Sequence, residues 1–307
     1  IELAGEVEEN LGGLAATKGA SGLEEAVRRN QVILAVAQRD ILGRLEKEGG
    51  VGGFYFFSLL KFEWRAGEST TAGTNQGSGM TQKLAPSPGT ALCRVGLYST
   101  DYGFEYLGNP ERLALTPLTE RCFFGLTQAL KFGRGGSPQG PAGTGKTETV
   151  KALGNSIGRG VLVFNCDEAL GIRALAGVLA GISGSGLWAC FDEFNRMSPV
   201  QLSGAAQLLQ ALQSAVRRGT TQTQASKNSE NSTFSNGVEL LGSWAELHPH
   251  SAVFVTLNPA GKNYRGRSPL PESLKSLFKV VVMNRPCVSK IAEILFIVEG
   301  IPPSLSS

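Results

Sequence analysis

Three observations predict an α/β fold for this chain: a parallel sheet flanked by helices, with a mainly helical segment in front of it. Apolar runs without alternation, such as Val161-Leu162-Val163-Phe164 and Ala252-Val253-Phe254-Val255, are bounded by turn residues, as in strands buried on both faces. Stretches of helical periodicity separate these runs, and strands that alternate with helices assemble as parallel sheets. The third observation is Gly140-Pro141-Ala142-Gly143-Thr144-Gly145-Lys146-Thr147, which satisfies the pattern G-x-x-x-x-G-K-S/T at the start of one of those helices.

Composition sets the limits. With 307 residues, 41% of them hydrophobic, the chain can bury a sizeable core, and its length suits about two domains. A net charge of +3 with no block of like charges gives no argument for nucleic acid, and no apolar run approaches the length that spans a membrane. Five widely spaced cysteines with no C-x-x-C pair read as reduced thiols of an intracellular protein. The chain begins at Ile1 without an initiator Met, and reads as a fragment of something longer.

In chain order, residues 1–22 carry little signal. Leu23, Val27, Leu34, Ile41 and Leu45 recur at near-helical spacing through Glu48, and Gly49–Gly53 ends that helix. The run Phe54–Trp64 is either a buried strand or a short packed helix. Residues 66–90 are too polar to order themselves and read as a flexible insertion. Leu92–Tyr98 and Gly103–Leu107 are candidate strands of a hairpin. A new unit begins near Asn109, where Thr119 is the expected N-cap of a helix through about Phe132. Behind the glycine-rich loop a helix runs from Lys146 to Ile157 and stops at Gly158; Gly160–Cys166 is then a fully buried strand. A helix over 168–181, a buried strand over 186–193 and a long helix from Pro199 to Arg217 follow. Gly219–Asn236 reads as polar and mobile, Val238–Leu241 as part of a hairpin, and Ser251–Asn258 and Val280–Met283 as the last buried strands.

The glycine-rich loop brings phosphate chemistry. Its glycines, Gly140, Gly143 and Gly145, let several N–H groups point at one phosphate, and the following helix adds the positive end of its dipole. Lys146 is placed to reach the β- and γ-phosphates, and the Thr147 hydroxyl to ligate Mg²⁺. Asp192 and Glu193 close an apolar strand, and the carboxyl ends of strands are where open α/β sheets bind ligands. Asp192 suits the metal and Glu193 the polarisation of an attacking water. Asn258, at the tip of another strand, can orient that water.

These motifs, with Phe164-Asn165-Cys166-Asp167-Glu168, Cys190-Phe191-Asp192-Glu193-Phe194-Asn195-Arg196 and Asn258-Pro259-Ala260-Gly261, resemble the first AAA+ module of a dynein heavy chain. Leu115-Thr116-Pro117-Leu118-Thr119 and Leu270–Phe278 resemble the same module on either side. The wording around Lys151–Gly154 and Asn258–Lys262 is closest to the cytoplasmic heavy chain of intraflagellar transport. The resemblance covers about residues 103–300, and implies that residues 1–102 are the end of the linker and residues 103–307 the large ATPase subdomain, without its helical lid.

The resemblance further implies ATP and Mg²⁺ as ligands, with Gly140–Thr147 and Glu148 around the phosphates, Thr147 and Asp192 at the metal, Glu193 as catalytic base and Asn258 as sensor. Leu115, Pro117 and Leu118 would contribute to the adenine pocket; ordinary core packing would use the same apolar residues. Expected partners are the neighbouring AAA+ modules of the heavy chain, its intermediate and light chains, and microtubules through regions outside this chain. The implied setting is cytoplasm, cytoskeleton and cilium, with no nucleic acid and no membrane insertion. Gly171, Gly177 and Lys279 depart from the Asp, Arg and Arg usual in the family, and Lys at 279 forgoes the planar fork of donors. Two other readings stay open on these residues, a regulatory module that holds nucleotide without turnover and a generic AAA+ remodelling ATPase. His248 and His250 lack a third ligand for a metal site and read as loop.

Overall fold

The computed structural model describes residues 22–48, 50–66, 89–225, 237–258 and 268–301, with Leu11 and Gly13. The insertion read at 66–90 lies outside the described residues except at its ends, as do 226–236 and the loop holding Pro259–Gly261, Arg265 and Arg267.

The N-terminal part comprises helix α1 (Gly22–Lys47), a short helix α2 (Phe54–Ser58) and an antiparallel sheet of β1 (Lys61–Arg65), β2 (Thr90–Val95) and β3 (Tyr98–Asp101). The run Phe54–Trp64 is a short helix followed by a strand, but the strand is not the buried one that sequence allowed, since Phe62 and Trp64 are exposed. The hairpin expected near residue 92 exists, but its second strand is Tyr98–Asp101, and 103–107 is irregular. A turn at Gly96, with φ of +57°, brings the chain back before Gly103. Acidic Glu24 and Glu25 in the first turn of α1 and Arg44 and Lys47 in the last complement its dipole. Its buried face is Arg28, Val32, Ala35 and Val36, whereas Leu23, Val27 and Leu34 are exposed. Helix α8 (Val288–Val298) selects that face, because Ile294, Ile297 and Val298 form one apolar cluster with Val32 and Val36.

The main unit runs α3 (Pro117–Lys131), β4 (Gly135–Gln139), α4 (Lys146–Ile157), β5 (Val161–Asn165), α5 (Ile172–Ser185), β6 (Trp188–Asp192) and α6 (Pro199–Ala225). It continues with the hairpin β7 (Gly237–Leu240) and β8 (Ser243–Glu246), then β9 (Ala252–Val255), α7 (Glu272–Leu277) and β10 (Phe278–Val282). Strands β10-β4-β9-β6-β5 form one sheet, parallel throughout. Alternation divides the core: Ala189, Phe191, Val253 and Val255 face the cluster with α5 and α6, while Trp188, Cys190, Ala252 and Phe254 face α3 and α4. Four of the chain's cysteines, Cys93, Cys122, Cys166 and Cys190, are buried free thiols.

Several expectations are corrected here. Thr116, not Thr119, caps α3: Thr119 N–H and Thr116 Oγ1 pair at 3.4 Å, Thr116 N–H donates to Thr119 Oγ1 at 2.7 Å, and Pro117 takes the first helical position. Strand β5 is not fully buried. It is the edge of the sheet, so Leu162 and Val163 are exposed. The helix expected over 168–181 starts at Ile172 and ends at Ser185, where Gly186 takes the left-handed conformation. Helix α6 continues through the polar stretch to Ala225, so residues 219–225 are helical backbone rather than loop. On that helix Val200 points outward, at 81% exposure. Strand β4 carries no apolar signal and was not anticipated. Its Gly-Gly-Ser-Pro-Gln composition reads as a turn, yet it is an interior strand, between β10 and β9. A Cβ on Gly135 would lie 2.3 Å from the Phe278 ring, and one on Gly136 2.3 Å from Leu126 and 2.9 Å from Phe254. Glycine is required there because large neighbours occupy the space. Among the described residues no helix is long and apolar enough to cross a membrane.

Candidate active site

Strand β4 delivers the chain into the glycine-rich loop, and α4 carries it away from the carboxyl end of the sheet. Gly143 and Gly145 both sit at φ of +76°, a conformation that L side chains rarely adopt. Gly140 is confined differently, since a Cβ would stand 2.1 Å from the carbonyl oxygen of Met283 at the end of β10. The loop is braced from inside by Thr144 Oγ1, which donates to Pro141 O at 3.0 Å. Lys146, 7% exposed, donates to Gly140 O at 3.0 Å and Pro141 O at 2.8 Å, so its ammonium lies across the loop that it follows.

Strand β6 supplies the acids. Thr147 Oγ1 donates to Asp192 Oδ1 at 2.5 Å, joining the end of the loop to the neighbouring acid. Thr256, fully buried beyond the end of β9, donates to the same oxygen at 2.5 Å and accepts from the Glu193 N–H at 3.0 Å. That second bond helps to hold Glu193 at φ of +49°, one of the three non-glycine residues with positive φ among those described. Asn258 donates through Nδ2 to Glu193 Oε1 at 2.8 Å, and Arg196 Nε forms an ion pair with Glu193 Oε2. Asn195, buried, donates to the Asn258 carbonyl at 2.9 Å and so fixes the backbone that presents the amide.

These groups meet at one cleft of about 440 Å³, walled by Ala142, Gly143, Gly145, Lys146, Thr147 and Glu148 on one side and by Asp192, Glu193 and Asn258 on the other. Gly140, Pro141 and Thr144 stand behind this wall and shape it. Glu148 pairs at the rim with Lys151, Oε1 to Nζ 2.9 Å. The structure thus brings together the loop, both acids and the amide, which are up to 118 residues apart in sequence between Gly140 and Asn258. It does not bring Leu115, Pro117 and Leu118 to the same cleft. Pro117 is exposed, Leu118 half-buried, and Leu115 lines a separate cavity with Tyr102, Phe123 and Ala152. Thr256, Asn195 and Arg196 are residues to which sequence reading gave no role at the site, although Asn195 and Arg196 lie within the motif Cys190–Arg196. The only available signal was their position beside Asn258 and Glu193, because a buried Thr and an exposed Arg carry no distinctive spacing.

The donor set fits the expected ligands. A hydroxyl and a carboxylate converging at Thr147 and Asp192 are hard oxygen ligands of the kind Mg²⁺ accepts. Asn258 Oδ1 is buried without a hydrogen-bond partner, an acceptor available to a water O–H. Burial pushes the Cys166 thiol up to about 12 and raises that of Cys190 still further, which disfavours either as a nucleophile beside Asp192.

Comparison with known proteins agrees with this geometry. Residues 102–305 match the family described as the hydrolytic ATP binding site of dynein motor region. Over 210 residues the chain is 46% identical to mouse cytoplasmic dynein 2 heavy chain 1, an alignment that takes in 68% of this chain and 4% of the relative. It is 47% identical over 199 residues to the cytoplasmic dynein heavy chain of Drosophila melanogaster, and 44% identical over 200 residues to cytoplasmic dynein 2 heavy chain 1 of Chlamydomonas reinhardtii; each alignment takes in 65% of this chain and 4% of the relative. The chain therefore spans a small part of the length of these relatives. A phosphate-binding loop joined through Thr147 to an acid pair, inside a stretch that matches that family throughout, makes this chain a member of the dynein heavy-chain family in the region of its ATP site.

Proposed function

We propose that this chain is the ATP-hydrolysing module of a dynein heavy chain, in which water attacks the γ-phosphate of Mg²⁺-bound ATP to give ADP and phosphate. The observation that carries the reading is the pairing of Glu193 Oε1 with Asn258 at 2.8 Å beside a loop shaped for phosphates. Glu193 takes the proton from the attacking water, and Asn258, whose Oδ1 has no other partner, orients that water. Lys146 exchanges its carbonyl partners for phosphate oxygens, and the N–H groups around Gly143 and Gly145 hold the rest of the triphosphate. Thr147 and Asp192 would hold Mg²⁺, which would supply charge neutralisation at the phosphates. Leu115, Pro117 and Leu118 remain our candidates for the base-binding side, with Leu115 at the wall of its own cavity.

Residues 1–102 are read as the end of the linker and 103–307 as the large ATPase subdomain. Closure of the module would move the linker and drive travel along microtubules that other parts of the heavy chain bind. Neighbouring AAA+ modules and the intermediate and light chains are the expected partners. The names of the mouse and green-algal relatives favour a cytoplasmic dynein 2 type, at work on the cytoskeleton of cytoplasm and cilium.

Phosphate release measured on the heavy chain, beside Glu193→Gln, tests the reading. The substitution should leave ATP binding within about threefold and reduce release by two orders of magnitude or more, on the order of what a general base contributes. Binding with equal, negligible release from both would instead assign the module to nucleotide holding without turnover.

A further inference from the structure

A second cavity, of about 330 Å³, lies at the amino end of the parallel sheet, opposite the cleft that holds the loop and the acids. The first residues of β4 and β9, Gly135 and Ala252, line it together with α6, the end of α3 and Thr100 of β3. It therefore sits where the N-terminal sheet meets the main unit, and joints of this kind are common places for small-molecule sites.

Gln213 is what points to a ligand there. It lines the cavity at 6% exposure and is the one buried polar side chain among the described residues of α6, whose other buried side chains are Leu and Ala. Its amide nitrogen and its amide oxygen are both without a hydrogen-bond partner. A buried amide that pairs at neither atom has given up water without compensation, and leucine in its place would pack without that cost. The charge of the walls is one-sided as well. Lys131 and Arg134 are exposed at the cavity, neither has an ion-pair partner among the described residues, and none of the described wall residues is acidic. Leu130, Leu212 and Val253 supply apolar surface.

We propose that this cavity binds a small organic carboxylate that carries an amide, with the carboxylate at Arg134 and Lys131, the amide exchanging hydrogen bonds with Gln213, and a short apolar body against Leu130 and Leu212. An N-acylated amino acid has this chemistry. Inorganic phosphate would use the cations alone and leave the apolar walls and the Gln213 amide unserved. The site is separate from the ATP cleft and does not depend on which residue there acts as base.

Saturation-transfer NMR of N-acetyl-leucine over the heavy chain, with and without saturating ATP, tests the proposal. At ordinary ligand efficiency a probe of about twelve non-hydrogen atoms binds with a Kd on the order of a millimolar. The signal should saturate and persist when ATP is added. Arg134→Met should weaken binding about two- to fivefold, the effect of an exposed charge. N-acetyl-leucinamide, which lacks the carboxylate, should lose a similar factor on the parent protein. Gln213→Leu should weaken binding about three- to tenfold, the effect of hydrogen bonds lost at a buried amide, while ATP binding stays within twofold and shows that the variant is folded. Arg134 is exposed and the leucinamide comparison needs no substitution, so the charge arm stands even where Gln213→Leu disturbs packing. The absence of a saturable signal, its displacement by ATP, or an unchanged affinity in Arg134→Met or in folded Gln213→Leu overturns the proposal.

Discussion

At the residue scale the acid pair depends on a threonine. Thr256 Oγ1 serves both acids, donating to Asp192 and accepting from the Glu193 N–H. Replacing it by valine preserves shape but leaves a buried N–H without its acceptor and frees Asp192 to rotate. Support of this kind for a ligating carboxylate is commonly worth 10- to 100-fold in activity, so Thr256→Val should lower ATP turnover by about that factor while Thr256→Ser recovers most of it. Steady-state phosphate release on both variants checks this, and equal rates for Val and Ser would show that the hydroxyl is dispensable. Sequence reading found Lys146, Thr147, Asp192, Glu193 and Asn258 because each belongs to a motif with a stated chemical need. It gave no role to Thr256 and Asn195, since hydrogen bonds between residues 63 apart leave no periodic trace. Leu115, Pro117 and Leu118 show the reverse case, in which apolar character marked them but does not distinguish a base-binding wall from ordinary packing.

At the scale of elements, strand β4 governs the site, because it aims the glycine-rich loop. Its two glycines are filled over by Leu126, Phe254 and Phe278, so the strand owes its place to neighbours rather than to its own side chains. Gly136→Val should push Leu126 and Phe254 off their positions and cost about 1–3 kcal/mol, the usual range for overpacking a core. Thermal unfolding should show a lower Tm, and an unchanged Tm would mean that the packing around β4 is looser than the structure has it. The helices and the strongly apolar strands were legible from periodicity. What periodicity left open was burial: β5 and β9 are both strongly apolar runs, yet one is an edge and the other is central. The same holds for α1, whose helical character was plain while its inward face waited on α8.

At the scale of the whole molecule, many contacts join the N-terminal elements to the main unit, among them two at α8 and at His250. Helix α1 meets α8 through an apolar cluster edged by ion pairs, Arg39 with Glu293 at 2.7 Å and Lys290 with Asp40 at 2.8 Å. The second contact lies at His250, whose carbonyl accepts from Trp188 Nε1 at 3.1 Å and whose ring meets Thr100 Oγ1 of β3 at 3.3 Å. Burial, helped by the charge of Arg159, lowers the His250 pKa from 6.5 to about 4. The folded protein therefore binds fewer protons there than the unfolded chain. Its stabilising contribution is complete above pH 6.5 and is lost as pH falls towards about 4. A Tm series across that window should decline less in His250→Gln than in the parent; parallel declines would remove His250 as the cause. By itself the sequence determined the class of fold, the chemistry of the phosphate loop and acids, and the family they belong to, because those follow from local pattern and residue type. Only the tertiary structure decided that a strand of glycines and a proline lies inside the sheet rather than in a turn, which face of α1 is inward, and that Thr256 joins the two acids. Each of those depends on which distant residues fill the neighbouring space, and pattern along one chain does not carry that information.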